Sequence, residues 1–218
     1  MRLRKVKNAL EKINLYPEIV IQDASNLKGK WKEKFNNDNP IYLEIGMGKG
    51  KFIITQALRN PNINFIGLEK EESVLVRALE KVIDNPLPNL LFIHEDAFLI
   101  TNIFENEEID KIYLNFSDPW PKSRHEKRRL TCNNILNDYC KILKGDGNIE
   151  FKTDNRKLFE YSLMEFVSKG LEIIKLSLDL HQDEENIITT EYEDKFVLKG
   201  NVIYFIEVKN NGKTLWKI

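Results

Sequence analysis

The stretch LEIGMGKGKF, residues 43–52, places a carboxylate, Glu44, ahead of the glycines Gly46, Gly48 and Gly50. A dinucleotide-binding fingerprint needs its third glycine where Lys51 stands, and a P-loop needs Ser or Thr where Phe52 stands, so neither phosphate cradle fits. What remains is a turn whose glycines let a ligand touch backbone, since any Cβ would fill that space. A second acid, Glu69, ends the next apolar run, and Asp96 comes just after the third. Glu44 suits an ammonium group, Glu69 the hydroxyls of a ribose, and Asp96 an adenine amine. A nucleoside with an amino-acid tail and no phosphate is S-adenosyl-L-methionine, which is therefore the expected cofactor. The plainer reading of the glycines is a tight strand-to-helix turn, and of each acid a solvated strand end. Acids at successive strand ends favour the ligand.

A second unusual stretch, NFSDPWPKSRHEKRR, fills residues 115–129. Pro119 and Pro121 fix their own φ angles and restrict the residues before them, so the turn carrying Asp118 and Trp120 is expected to be stiff. Trp120 either stacks on a ligand or packs beneath the loop. Behind it, Lys122, Arg124, Lys127, Arg128 and Arg129, with His125 among them, are opposed only by Glu126. Such a run is either a solvated helix face or a phosphate-neutralising surface. Its closeness to Asp118 favours nucleic acid. Arg2, Arg4, Lys5 and Lys7 form a second basic stretch, expected as an N-terminal arm over about residues 1–14. His94 and His181 have no partner at metal-ligand spacing, and no metal is expected.

These residues need a scaffold that brings them to one place. Apolar runs predict strands at Ile41–Ile45, Asn64–Leu68, Leu90–Ile93, Ile112–Phe116, Asn148–Lys152, Leu171–Leu180 and Val202–Val208. Helical periodicity predicts helices at Lys51–Arg59, Ser73–Ile83, Leu99–Glu105, Arg124–Leu143 and Arg156–Lys169. The alternation predicts an α/β fold with a seven-stranded, mostly parallel sheet, helices on both faces and an antiparallel last strand. Only a loop, residues 181–200, is expected between the last two strands. Ligands in such sheets bind beyond the carboxyl ends of the strands, where Glu44, Glu69, Asp96, Asp118, Asp154 and the segment 189–194 fall. With 218 residues, 42% of them hydrophobic, the chain is expected to form one domain over 1–218. The net charge of -1 means that any nucleic-acid surface must come from local clustering. Cys132 and Cys140 lack zinc spacing and read as reduced thiols, no apolar run reaches membrane-spanning length, and no signal peptide opens the chain. A cytoplasmic, soluble protein is expected.

The blocks EIGMGKGKF at 44–52, LNFSDPWPKSRHEKRRL at 114–130, FKTDN at 151–155 and TEYEDKF at 190–196 resemble, in order, the tRNA (guanine-N7-)-methyltransferase family of the bacterial single-chain type. The resemblance implies a class I methyltransferase (Rossmann-like) fold, S-adenosyl-L-methionine as methyl donor, and transfer to N7 of guanosine 46 in the variable loop of tRNA. It implies cofactor contacts from Glu44, Glu69, Asp96 and Asp118, with Asp118 also catalytic. It implies substrate contacts from Lys122, Asp154, Thr190, Glu191, Tyr192 and Glu193, and RNA contacts from Arg124, His125, Glu126, Lys127, Arg128 and Arg129. The chain departs from the family in lacking an aromatic close behind its opening basic residues and in reading KEES after Glu69.

Guanine N7 carries a lone pair and no proton, so Asp118 is expected to act through position and charge rather than as a base. A base methylated at close range is usually pulled from its stack. Glu191 and Glu193, expected to point the same way from an extended loop, offer an acceptor for the guanine N1–H and N2–H donors; the plainer reading is a solvated acidic loop. Two rivals stand. Ser117-Asp-Pro-Trp120 looks like the Asn/Asp-Pro-Pro-aromatic turn of enzymes that methylate exocyclic amines, with Trp120 in place of the second proline. The other is a tRNA-binding module on an inactive methyltransferase fold. Monomer and homodimer both remain open.

Overall fold

The computed structural model describes residues 5–211; Arg2 and Arg4 of the expected basic arm lie outside the described residues. In chain order the elements are α1 (Ala9–Asn14), β1 (Val20–Ile21), α2 (Trp31–Phe35), β2 (Ile41–Ile45), α3 (Lys51–Arg59), β3 (Asn64–Leu68), α4 (Glu72–Leu79), β4 (Leu90–Ile93), α5 (Ile100–Ile103), β5 (Ile109–Asn115), α6 (Asn133–Ile142), β6 (Leu143–Thr153), α7 (Arg156–Ser168), β7 (Glu172–Ser177), α8 (Leu180–Asp183), α9 (Glu191–Val197) and β8 (Tyr204–Lys209). Among the described residues they build one eight-stranded sheet in the order β1-β4-β3-β2-β5-β6-β8-β7. All pairings are parallel except β6 with β8 and β8 with β7.

Buried strands alternate their side chains between two apolar layers, as the two-residue period of a pleat requires. Leu43, Ile45, Ile66, Ile93, Ile112, Leu114 and Phe151 join the layer beneath α6 and α7. Phe65, Phe92 and Tyr113 join the opposite layer, against Phe52 and Ile53 of α3 and Leu75 and Leu79 of α4. The order runs β2-β3-β4 to one side and β5-β6 to the other, so the chain reverses direction between β2 and β5. That is where an open α/β sheet parts its loops and admits a ligand.

The structure departs from the sequence expectation in adding the short helix α2 and at the following elements. The additional strand is the two-residue edge strand β1, too short to leave a periodic signal. The predicted helix over 124–143 is divided into a 3-10 turn, Ser123–Arg128, and α6. The supposed loop 181–200 holds α8 and α9. Within the stretch expected as an arm, α1 is docked: Ala9 and Ile13 are buried in the layer that holds Leu75 and Leu79, and Val6 N–H donates to Ser73 Oγ at 3.0 Å. No helix among the described residues is long and apolar enough to cross a membrane.

Candidate active site

Parallel register carries the carboxyl ends of the central strands to one rim. Glu44 lies level with Gly67 of β3 and Tyr113 of β5, and Asn115 lies level with Lys152 of β6. Glu44 is 0% exposed. Its Oε1 accepts from Asn115 Nδ2 at 2.8 Å, while Oε2 has no hydrogen-bond partner among the described residues. Burial pushes the Glu44 carboxyl up to about 8, against the Asn115 hydrogen bond and the charge of Lys152. A buried carboxylate oxygen without a donor costs free energy unless something cationic or hydrogen-bonding meets it. The ammonium of an amino-acid ligand is such a group. Asn115 has no signature of this role in the sequence, since nothing before folding ties it to Glu44.

Glu69 fixes the glycine turn. Its Oε2 accepts from Gly48 N–H at 3.0 Å and its Oε1 from Glu71 N–H at 2.9 Å. Burial raises its pKa and those two amides oppose the rise. The glycines have separate tasks. A Cβ on Gly48 (φ 60°) would meet nothing within 4 Å, so this residue borders open space. A Cβ on Gly50 (φ 78°) would lie 2.9 Å from Ala78 Cβ, so a glycine here lets α3 start against α4. Gly46 is exposed on the same turn at φ 72°. Asp96 Oδ1 caps the turn Ala97–Leu99 by accepting from Phe98 N–H at 3.0 Å, and its side chain is half-buried. The residues present therefore fit S-adenosyl-L-methionine: an unpartnered buried acid, an open glycine, and acids at the next strand ends.

Asp118 is exposed on the turn after β5. Phe116 and Trp120 flank it with φ of 53° and 40°, a left-handed backbone that costs a bulky residue about 1–3 kcal/mol. Ser117 Oγ is buried without a hydrogen-bond partner among the described residues. Trp120 is half-exposed; the Arg128 guanidinium lies 4.9 Å over its ring and the His125 ring meets it edge-on at 5.6 Å. Lys122, Arg124, Lys127 and Arg128 are exposed, as is Glu126, which accepts from Tyr161 OH at 3.3 Å. Arg129 differs from its neighbours: its guanidinium donates to Pro119 O at 3.1 Å and Trp120 O at 3.2 Å and lies 4.2 Å over the Tyr161 ring.

The acidic segment corrects the expectation of an extended loop. Thr190 accepts from Glu193 N–H at 3.0 Å while Glu193 Oε2 accepts from Thr190 N–H at 3.3 Å, a capping box that starts α9. The Thr-x-x-Glu spacing of residues 190–193 is a legible signal for this. Helical geometry sends Glu191 and Glu193 in different directions. Glu191 pairs with Lys81, whose Nζ also donates to Lys49 O at 2.7 Å. Glu193 turns inward to Lys152 Nζ at 2.7 Å, with side chains 0% and 4% exposed, and its Oε1 lies 2.9 Å from His181 Nε2. The Lys152 ammonium also donates to Ile188 O at 3.1 Å and lies 5.0 Å over the Phe52 ring. So Glu193 cannot grip a base edge while this pair holds, and His181 has the carboxylate partner that sequence spacing concealed. Tyr192 stacks on Phe196 at 4.1 Å and donates to Asp154 Oδ2 at 3.4 Å. Lys51, just after Gly50, pairs with Asp194 and donates to Thr189 Oγ1 at 2.9 Å. The segment 189–194 is thus tied across the cofactor turn.

Comparisons with known proteins agree with this fold. A family model described as "Putative methyltransferase" matches residues 38–206. A solved 16S rRNA methyltransferase, KamB, superposes with a TM-score of 0.65 at 11% identity over 83% of this chain and 92% of that one, which shows a shared fold alone. A tRNA (guanine-N(7)-)-methyltransferase of Geobacillus sp. (strain WCH70) is 56% identical over 96% of each chain. That of Streptococcus uberis is 52% identical over 95% of this chain and 99% of its own. The mixed sheet with an antiparallel closing strand, the rim of acids and these identities have one explanation: the chain belongs to the tRNA (guanine-N(7)-)-methyltransferase family.

Proposed function

We propose that this protein transfers a methyl group from S-adenosyl-L-methionine to N7 of guanosine 46 in the variable loop of tRNA. The observation that carries the reading is the meeting on one rim of a buried acid with an unpartnered oxygen, Glu44, and an exposed acid, Asp118, backed by the basic run Lys122–Arg128. The relatives at 56% and 52% identity support the substrate. The place of action is then the cytoplasm, where tRNA is modified.

Glu44 Oε2 holds the ammonium of the cofactor, Glu69 holds the glycine turn while accepting from ribose hydroxyls, and Asp96 faces the adenine. The bound cofactor supplies a methyl group on a positively charged sulfur. Guanine N7 has a lone pair and no proton to lose, so the chain needs no general base. The base becomes cationic as it is methylated, and a carboxylate beside it stabilises that charge where it develops. Asp118, exposed on its stiff turn, serves there through position and charge. Lys122, Arg124, Lys127 and Arg128 neutralise phosphates, which makes binding fall steeply with salt. Asp154 and Tyr192, bonded to each other beside Phe116 of the turn, contact the tRNA as well.

The test is incubation with methyl-labelled cofactor and unmodified bulk tRNA, then nuclease digestion. Label in N7-methylguanosine supports the proposal; label in N6-methyladenosine would instead establish the exocyclic-amine reading, and no label at all the inactive binding module. Asp118→Ala is expected to lower transfer by about 100-fold or more while tRNA affinity stays within about twofold.

A further inference from the structure

We propose that Arg129 is a positioning residue for the Asp118 turn and not one of the phosphate contacts of the basic run, a proposal that rests on the proposed role of Asp118. Among the described residues the main chain from Ser117 to Pro121 makes no backbone–backbone hydrogen bond. It is anchored before the turn by Phe116 N–H on Lys152 O at 2.8 Å and after it by His125 N–H on Lys122 O at 2.8 Å. Pro119 and Pro121 have no N–H to give, so two of these five positions cannot donate at all. Yet Phe116 and Trp120 are held in left-handed backbone that such side chains leave when nothing constrains them.

The Arg129 guanidinium supplies the constraint. Its Nε and one Nη engage the carbonyls of Pro119 and Trp120, the residues directly after Asp118. The other end of the clasp is fixed as well. The guanidinium carbon lies 4.2 Å from the ring centre of Tyr161 of α7, and the chain just beyond is pinned to the same helix by Thr131 Oγ1 against Ser162 Oγ at 2.7 Å, both buried. A planar fork that meets carbonyls and stacks on a ring is a task for arginine; lysine brings the same charge without the fork. Arg128, one residue earlier, has its cation 4.9 Å over the Trp120 ring and is exposed. Adjacent arginines of one charge run therefore do different work.

The experiment compares Arg129→Lys with Arg128→Gln in the full-length protein. Single-turnover methyl transfer at saturating tRNA and cofactor, and tRNA affinity against salt, are read for each. Arg129→Lys is expected to lower the saturated rate about 10- to 100-fold, as a small misplacement of a reacting-side group does, with tRNA affinity within about twofold and an unchanged salt slope. Methylguanidinium in solution is expected to restore part of the rate to Arg129→Ala. Arg128→Gln is expected to weaken tRNA binding and reduce the salt slope by about 1. A readout independent of activity is 19F NMR of 5-fluorotryptophan protein, in which the Trp120 resonance, assigned by Trp120→Phe, shifts or broadens in Arg129→Lys while that of Trp31 stays. If the wild-type protein transfers no methyl group, the functional reading fails and the Trp120 resonance still decides the clasp. An Arg129→Lys protein with an undisturbed Trp120 resonance overturns the proposal. So does one that transfers at the wild-type saturated rate, or that loses tRNA affinity and salt slope as Arg128→Gln does.

Discussion

The two halves of the rim are built in different dielectric settings. On the cofactor side Glu44, Glu69, Lys152 and Glu193 are all buried, and they are held by a few defined partners. On the other side Asp118 and the basic run stand in solvent on a turn whose shape is imposed by backbone constraint. Charge inside is worth a great deal and is costly to leave unpaired; charge outside is screened and contributes mainly to recognition. Changes to the dry half are therefore expected to show first in stability and pH dependence. Changes to the wet half are expected to show in tRNA affinity and transfer rate.

The largest expected effect tests the dry half directly. Lys152→Met leaves the Glu193 carboxylate fully buried beside a neutral chain, with only His181 and the Thr190 amide near it. Breaking one side of a buried pair costs about 3–5 kcal/mol, whereas replacing both sides is far milder. Urea denaturation is expected to show that loss in Lys152→Met and to show at least half of it recovered in Lys152→Met with Glu193→Gln. A single mutant as stable as the wild type would mean that water reaches the pair and that the halves do not differ in the way argued.

The contrast also explains what can be read from the chain before it folds. The acids at strand ends and the open glycine turn are local features, set by the residues on either side of each turn, and they lie where the predicted strands put them. So do the parallel strands, whose apolar runs signal burial on both faces. The burial of Glu193 and the anchoring of Arg129 are not legible at the level of sequence, because charge runs look uniform there. Only tertiary contact, with Lys152 in one case and with two carbonyls and Tyr161 in the other, sets the two residues apart. The helix over 190–197 is legible in its capping box, but its polar composition outweighs that signal. The strand β1 and the pairing of Asn115 with Glu44 leave no sequence signal at all.

A middle-sized effect sharpens the comparison through pH. Burial raises the Glu44 carboxyl from 4.5 to about 8 in the free protein. A raised acid contributes folding stability that is fully present below pH 4.5 and is lost as pH rises towards 8. Cofactor binding runs the other way, because an ammonium pairs with the carboxylate and must displace the proton. Between about pH 6 and 7.5, where an α-amino group stays mostly protonated, affinity for S-adenosyl-L-methionine is expected to rise with pH by up to about tenfold per unit. Calorimetry across that range would check it, with Glu44→Gln expected to bind weakly and without the slope. No exposed acid of the other half is expected to impose such a dependence on cofactor affinity.

The smallest expected effect lies where the halves meet. Lys81 pairs with Glu191 on the surface and also donates to Lys49 O in the glycine turn, so it ties the acidic segment to the cofactor turn through partly exposed groups. An exposed pair of this kind contributes about 0–1 kcal/mol. Lys81→Ala is expected to leave the urea midpoint nearly unchanged and to weaken cofactor affinity only a few-fold, with most of the change in the dissociation rate, because the segment it releases still holds through Lys51 and the buried Lys152. Stopped-flow displacement of bound cofactor would measure it. A loss of stability as large as that of Lys152→Met would place this contact in the dry half and move the boundary between the two outward.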